Sequence, residues 1–78
     1  MNLTINGEKT FIKNETPPIT VEILIKELGY HPQLIVIEFN GTILDPKMWS
    51  NQMVKDGDKL EIVTIVGGGS ESLFNLKI

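Results

Sequence analysis

The chain has 78 residues, which is the size of one small domain. It contains no cysteine and a single histidine, His31, so a disulfide scaffold, a thiol nucleophile and a zinc ribbon are excluded and no metal site is expected. Seven lysines, no arginine and ten acidic residues give a net charge of −3, which argues against nucleic-acid binding. This charge suits either docking on a basic protein surface or plain solubility. No apolar run approaches the roughly 20 residues that cross a bilayer, and the first residues lack a signal-peptide pattern, so we expect a cytoplasmic protein with no membrane contact.

The first predicted element is a β-hairpin. Asn6-Gly7 lies between two segments in which apolar and polar residues alternate. Asn-Gly is typical of the two-residue turn that joins antiparallel strands. We therefore expect strands near residues 2–6 and 9–13, with Leu3 and Ile5 facing the core.

A single amphipathic helix is predicted next, over residues 20–29. Its apolar residues recur at spacings of three and four, which is typical of a helix that packs on a sheet. Thr20 is expected to cap the N-terminus and Gly29 to end the helix in a left-handed conformation.

Shorter elements follow the helix. Residues 34–39 form an apolar, β-branched run that predicts a buried strand. Asn40-Gly41 then predicts a turn into a short extended piece over residues 42–44. Asp45 and Pro46 predict a single helical turn, because Asp caps helices well and Pro is favoured at the first helical position.

The last predicted strand runs from Lys59 to Val66, after a tight Asp56-Gly57-Asp58 turn. The order of elements predicts an α+β domain over residues 1–66, in which a mixed sheet of about four to five strands carries one main helix, as in the ubiquitin-like β-grasp fold. The predicted core consists of Leu3, Ile5, Val21, Leu24, Ile25, Leu28, Ile35 or Val36, Leu60 and Ile62.

Nothing in the sequence assembles a catalytic site. His31 lies in a loop without a neighbouring serine or cysteine, and Asp56 and Asp58 are better explained as turn residues than as cation ligands. No glycine-rich loop opens the helix, which argues against a phosphate site. Trp49 is expected to cover one end of the core, with an exposed part as a candidate docking residue. We therefore expect a protein that is not an enzyme and binds no cofactor or metal.

Gly67, Gly68 and Gly69 follow the last strand almost directly. They fit a flexible linker, but three extended residues also reach about 10 Å beyond a sheet, and no side chain widens them. Such a thread can enter a narrow channel and bring a glycine carboxylate to the active site of another protein. Ile65 and Val66, immediately before the thread, are expected to help it dock.

Several segments resemble the sulfur carrier family of thiamine thiazole synthesis, ThiS. They are residues 39–49 (FNGTILDPKMW), 54–63 (VKDGDKLEIV) and 66–69 (VGGG), and the helix start at 20–25 (TVEILI) fits the same pattern. The resemblance covers residues 1–69, and the order and spacing of the segments are more specific than any one of them.

The resemblance implies a carrier rather than a catalyst. Gly69 maps to the terminal glycine of the family, with Gly68 beside it. In the family, an E1-like adenylating enzyme uses ATP to activate that carboxylate, which becomes a thiocarboxylate and delivers sulfur to thiazole synthase. Two alternatives stay open: the small subunit of molybdopterin synthase, which has the same fold and glycine end, and a β-grasp interaction module with a permanent tail.

The chain departs from the family pattern after Gly69 and, less importantly, at Lys47, where arginine is frequent. Residues 70–78 keep the Gly69 carbonyl in a peptide bond, so activation requires a processing protease; otherwise this form is inactive or the segment is an artefact of the sequence. The tail is too apolar for an ordinary solvated linker, so we expect it to pack on a protein surface and form a dimer. Its apolar residues are Leu73, Phe74 as the main anchor, Leu76 and Ile78.

Overall fold

The computed structural model describes residues 1–13 and 18–65. These residues form a five-stranded mixed sheet and one main helix, which confirms the predicted α+β architecture. The strands are β1 (Asn2–Ile5), β2 (Glu8–Phe11), β3 (Ile35–Phe39), β4 (Thr42–Ile43) and β5 (Lys59–Thr64), and the helix is α1 (Val21–Leu28). Two short 3-10 turns, Pro32–Leu34 and Pro46–Met48, precede β3 and follow β4.

The sheet has the strand order β2-β1-β5-β3-β4, so the last strand lies at its centre. Strand β5 runs parallel to β1 and antiparallel to β3. Alternation along β5 buries Leu60 and Ile62, while Val63 lies on the exposed face. The chain therefore leaves the sheet from its middle rather than from an edge.

Both Asn-Gly pairs form the predicted turns. Asn6 and Gly7 have φ angles of 52° and 82°, and Asn40 has φ 51° with Gly41 at 89°. This left-handed backbone is costly for most residues, but glycine and asparagine tolerate it. Each turn joins a pair of antiparallel neighbours, β1 to β2 and β3 to β4.

The predicted caps of α1 are confirmed. The Thr20 side-chain oxygen accepts a hydrogen bond from the Ile23 amide at 3.3 Å. Gly29 has φ 86°, and its N–H points to the carbonyls of Ile25 and Lys26. These groups satisfy orphan donors and acceptors that an eight-residue helix would otherwise leave open.

Most of the predicted core is buried, with Ile35 rather than Val36 as its member from the start of β3. The prediction for Leu28 is wrong, because this residue is only partly buried and packs against the edge of the hydrophobic core. The prediction omitted several residues that the structure buries, which are Ile19, Ile37, Trp49 and Val54.

Several strand boundaries also differ from prediction by one or two residues. Strand β3 begins at Ile35 because Leu34 belongs to the preceding 3-10 turn. Strand β5 ends at Thr64, whereas the prediction extended it to Val66. Val66, Gly67–Gly69 and the tail, with the domain boundary and the dimer predicted there, lie outside the described residues. Within the described ranges, no helix is long and apolar enough to cross a membrane.

Candidate functional site

The candidate site is the end of β5, where the chain leaves the sheet. The amide of Ile65 donates a hydrogen bond to the carbonyl of Leu34 and so extends the contact between β5 and the β3 side by one residue. Ile65 is partly buried, whereas Val63 is 54% exposed and Leu34 is 42% exposed. We call Leu34, Val63 and Ile65 the exit rim. This surface is apolar. Val63 and Ile65 lie just before Val66 and the three glycines in sequence, and Leu34 lies beside them on the β3 side.

The start of β5 is fixed by the carboxylate of Asp58, which is only 4% exposed. One carboxylate oxygen accepts the Lys55 amide at 2.8 Å, and the other accepts the Asn40 side-chain amide at 3.1 Å. Asp56 accepts the Asn2 amide at 2.6 Å, and the Gly57 amide donates to the Asn2 carbonyl at 2.7 Å. The turn prediction for Asp56-Gly57-Asp58 is confirmed, because both carboxylates hold backbone amides.

Asn40 adds a second clamp at the same end of β5. Its side-chain oxygen accepts a hydrogen bond from the Lys59 backbone amide at 2.8 Å. The backbone amide of Asn40 donates to the Lys59 carbonyl at 2.7 Å. One residue of the β3–β4 turn therefore contacts both the backbone of β5 and the carboxylate of Asp58.

Asn6 contacts β5 in a similar way nearer to the exit. The backbone amide of Asn6 donates to the Leu60 carbonyl at 2.9 Å, and the side-chain oxygen of Asn6 accepts the Ile62 backbone amide at 2.6 Å. The register between β1 and β5 ends one residue earlier, at Ile5 and Leu60. The Asn-Gly pairs predict Asn6 and Asn40 as turn residues, but not the hydrogen bonds of their side chains to β5.

The exposed face of the sheet is apolar and acidic near the middle of β5. Glu38 and Glu61 lie directly opposite each other on β3 and β5. They line an open groove together with Lys59 and Val63. Like charges in this register repel each other, and Lys59 brings a positive charge to the same groove.

The prediction that part of Trp49 is exposed for docking is wrong. It is 5% exposed, and its indole N–H donates to the Leu44 carbonyl at 3.1 Å. The predicted turn before it is present, with the Asp45 carboxylate accepting the Lys47 amide at 2.9 Å. This turn places Trp49 inside the core and leaves Met48 48% exposed. Trp49 thus stabilises the fold and offers no surface to a partner.

The described residues contain no cluster of three side chains able to hold a metal ion. His31 is exposed and caps the 3-10 turn at Pro32–Leu34.

Comparison with known proteins identifies the chain. The profile of the ThiS family matches residues 3–69. A thiazole synthase of Paramagnetospirillum magneticum is 42% identical over 71 residues, which is 91% of this chain but 21% of the length of that relative. The crystal structure of the thiamine biosynthesis protein ThiS from Geobacter metallireducens superposes with a TM-score of 0.75 at 31% identity, and covers 88% of this chain and 100% of the other.

The shared sheet and helix define the class as the ubiquitin-like β-grasp fold. Within that class, the chain belongs to the ThiS family. The family interpretation of the sequence is thus confirmed.

Proposed function

We propose that this protein is a sulfur carrier whose Gly69, freed by removal of residues 70–78, is adenylated and converted to a thiocarboxylate for thiamine thiazole synthesis. The observation that carries the proposal is the extent of the family match, which runs from residue 3 to residue 69 and ends on the last glycine of the run. A segment that ends there presents a glycine carboxylate once the peptide bond to Ser70 is broken.

The geometry of β5 supports this role. The strand is central in the sheet, and Ile65 is tied to the Leu34 carbonyl only two residues before Gly67. A thread that starts from an anchored strand has a fixed origin, which lowers the entropy lost when a partner seats it. The exit rim of Leu34, Val63 and Ile65 offers that partner an apolar contact beside the thread.

Adenylation explains why such a carrier needs an activating partner. A free carboxylate resists nucleophilic attack because it is an anion with a poor leaving group. An E1-like enzyme would transfer AMP from ATP to the Gly69 carboxylate and release pyrophosphate. A hydrosulfide-equivalent donor would then attack the acyl carbon, the bond to AMP would break, and a thiocarboxylate would remain. In this scheme the ATP is bound by the partner, and the carrier itself is a substrate rather than an enzyme.

Thiazole synthase is the proposed acceptor of the sulfur. The thiazole synthases of Paramagnetospirillum magneticum and Magnetococcus marinus each contain a segment similar to this chain, over 21% and 20% of their length. A carrier-like segment within the synthase chain supports a working partnership between the two, since linkage raises the effective concentration of one part near the other.

The proposal is tested by mass spectrometry of the intact protein. Protein ending at Gly69 and the full-length chain are each incubated with the activating enzyme, ATP and a sulfur donor. Every buried residue of the described core lies between Leu3 and Ile62, so the shortened protein keeps that core. We expect the shortened form to gain the mass of sulfur in place of oxygen and the full-length form to stay unchanged. An unreactive shortened form would contradict the proposal and favour an interaction module with a permanent tail.

A further inference from the structure

We propose that Asn6 is a positioning residue for the reaction at Gly69: its side chain fixes the last part of β5 and so sets where the glycine thread begins. This inference rests on the proposed function. Asn6 is exposed at the tip of the β1–β2 turn, 63 positions from Gly69 in sequence, and no catalytic or binding role follows from its position alone.

The Asn6 side chain takes the place of a strand partner. Strand β1 pairs with β5 only as far as Ile5, and Gly7 turns the chain toward β2. The Asn6 side-chain carbonyl accepts the Ile62 amide at 2.6 Å, where the backbone carbonyl of a longer β1 would otherwise bind. Within the described residues, this is the last hydrogen bond that β5 receives from the β1 side.

Asn6 makes this contact from a left-handed backbone conformation. At φ 52° the Asn6 amide donates to the Leu60 carbonyl at 2.9 Å while the side chain reaches Ile62. The side-chain amide also lies 3.5 Å from the Tyr30 hydroxyl, just beyond the end of α1. Asn6 thus contacts both β5 and Tyr30, the second residue after α1.

Beyond Ile62, β5 is held from one side. Val63 pairs with Val36, Thr64 with Ile35, and Ile65 with the Leu34 carbonyl, all on the β3 side. Loss of the Asn6 contact would leave the final residues before the thread free to swing away from β1. A displacement of about 1 Å at a reacting group can lower a rate about a hundredfold, so freedom at the origin of the thread matters for chemistry at its tip.

Asn40 provides a matched control within the same chain. It also precedes a glycine, has φ 51°, and accepts a β5 amide, that of Lys59, at 2.8 Å. Its contact lies at the start of β5, far from the exit. The two asparagines therefore share local chemistry and differ in which end of the strand they hold.

The test compares Asn6→Gly with Asn40→Gly, since glycine keeps the left-handed turn and removes only the side chain. Asn6→Asp keeps an acceptor oxygen and serves as the rescue variant. In protein ending at Gly69, we expect Asn6→Gly to lower kcat for adenylation about tenfold with little change in KM. We expect Asn40→Gly to leave kcat within about twofold and Asn6→Asp to restore most of the loss.

Amide hydrogen exchange on the full-length chain tests the same inference without the partner. Exchange at Ile62 and Ile65, whose amides are bound by Asn6 and Leu34, should accelerate in Asn6→Gly and stay unchanged in Asn40→Gly. Equal exchange at these amides in both variants, or equal kcat, would overturn the positioning role. If unsubstituted protein ending at Gly69 is never adenylated, the proposed function is wrong, while the exchange result still decides whether Asn6 fixes the strand end.

Discussion

The two ends of β5 are held in different ways. At the start, the buried carboxylate of Asp58, the Asn40 side chain and the Asp56 contact to Asn2 surround the strand on both sides. At the end, Ile65 is partly exposed and has its backbone partner, Leu34, on one side. One strand thus has a firmly fixed origin and an accessible terminus.

This difference suits a protein that presents its chain to others. Hydrogen bonds from both flanks keep the start of β5 from sliding, so register is kept along the strand. The lighter hold at the exit leaves backbone groups and apolar side chains available to a partner. Under the proposed function, the start of this six-residue strand stabilises the sheet and its end meets the partner.

The largest expected effect is on activation, from a change beyond the exit. Gly68→Val should lower adenylation more than about a hundredfold, because a β-branched side chain stiffens and widens the thread. Its unfolding free energy should equal that of the unsubstituted protein.

The opposite pattern is expected for Gly57→Val at the start of β5, where φ is 90°. That variant should lose roughly 1–2 kcal/mol of stability to backbone strain. Urea denaturation and adenylation assays on both variants would reveal whether the ends are separable.

A second effect sharpens the role of the strand start. Asp58→Ala leaves the Lys55 amide and the Asn40 side-chain amide without an acceptor, so we expect a loss of about 3 kcal/mol in unfolding free energy. Asp56→Ala removes one exposed contact and should cost about 1 kcal/mol. Urea denaturation of the full-length chain measures both values. Equal losses would mean that burial of Asp58 adds nothing to its role as an anchor.

The smallest effect concerns how a partner meets the exit. Residues 1–69 contain nine acidic residues and six lysines, a balance of 6 − 9 = −3, and Glu38 and Glu61 concentrate charge beside β5. Association with the activating enzyme should slow several-fold between about 0.1 M and about 1 M salt, because the Debye length falls from about 10 Å to about 3 Å. Stopped-flow association rates test this. A rate that is independent of salt would assign the encounter to the apolar exit rim instead.

Local patterns in the sequence predicted much of the fold. The Asn6-Gly7 turn, the Thr20 and Gly29 caps and the Asp45 cap depend on residues close together in sequence, and all are present. Ile19 and Val54 were not predicted in the core because they lie outside any periodic segment. They are brought together by the hydrogen bond from the Val54 amide to the Ile19 carbonyl, at 3.0 Å.

The site was predictable in position but not in its supports. The glycine run after an apolar strand, together with the ThiS resemblance, points to the end of β5. The contacts of Asn6 and Asn40 with that strand span 56 and 19 residues and depend on the strand order, which no local pattern encodes. Trp49 was predicted to cover one end of the core with an exposed part; in the structure it is buried, and its indole N–H donates to the Leu44 carbonyl.

The most direct test of the sulfur-carrier proposal is the intact mass of the protein isolated from its native cell. We expect a species that ends at Gly69, of which a fraction carries one sulfur in place of one oxygen. A native protein that always retains residues 70–78 would contradict it, because Gly69 could then never present a carboxylate.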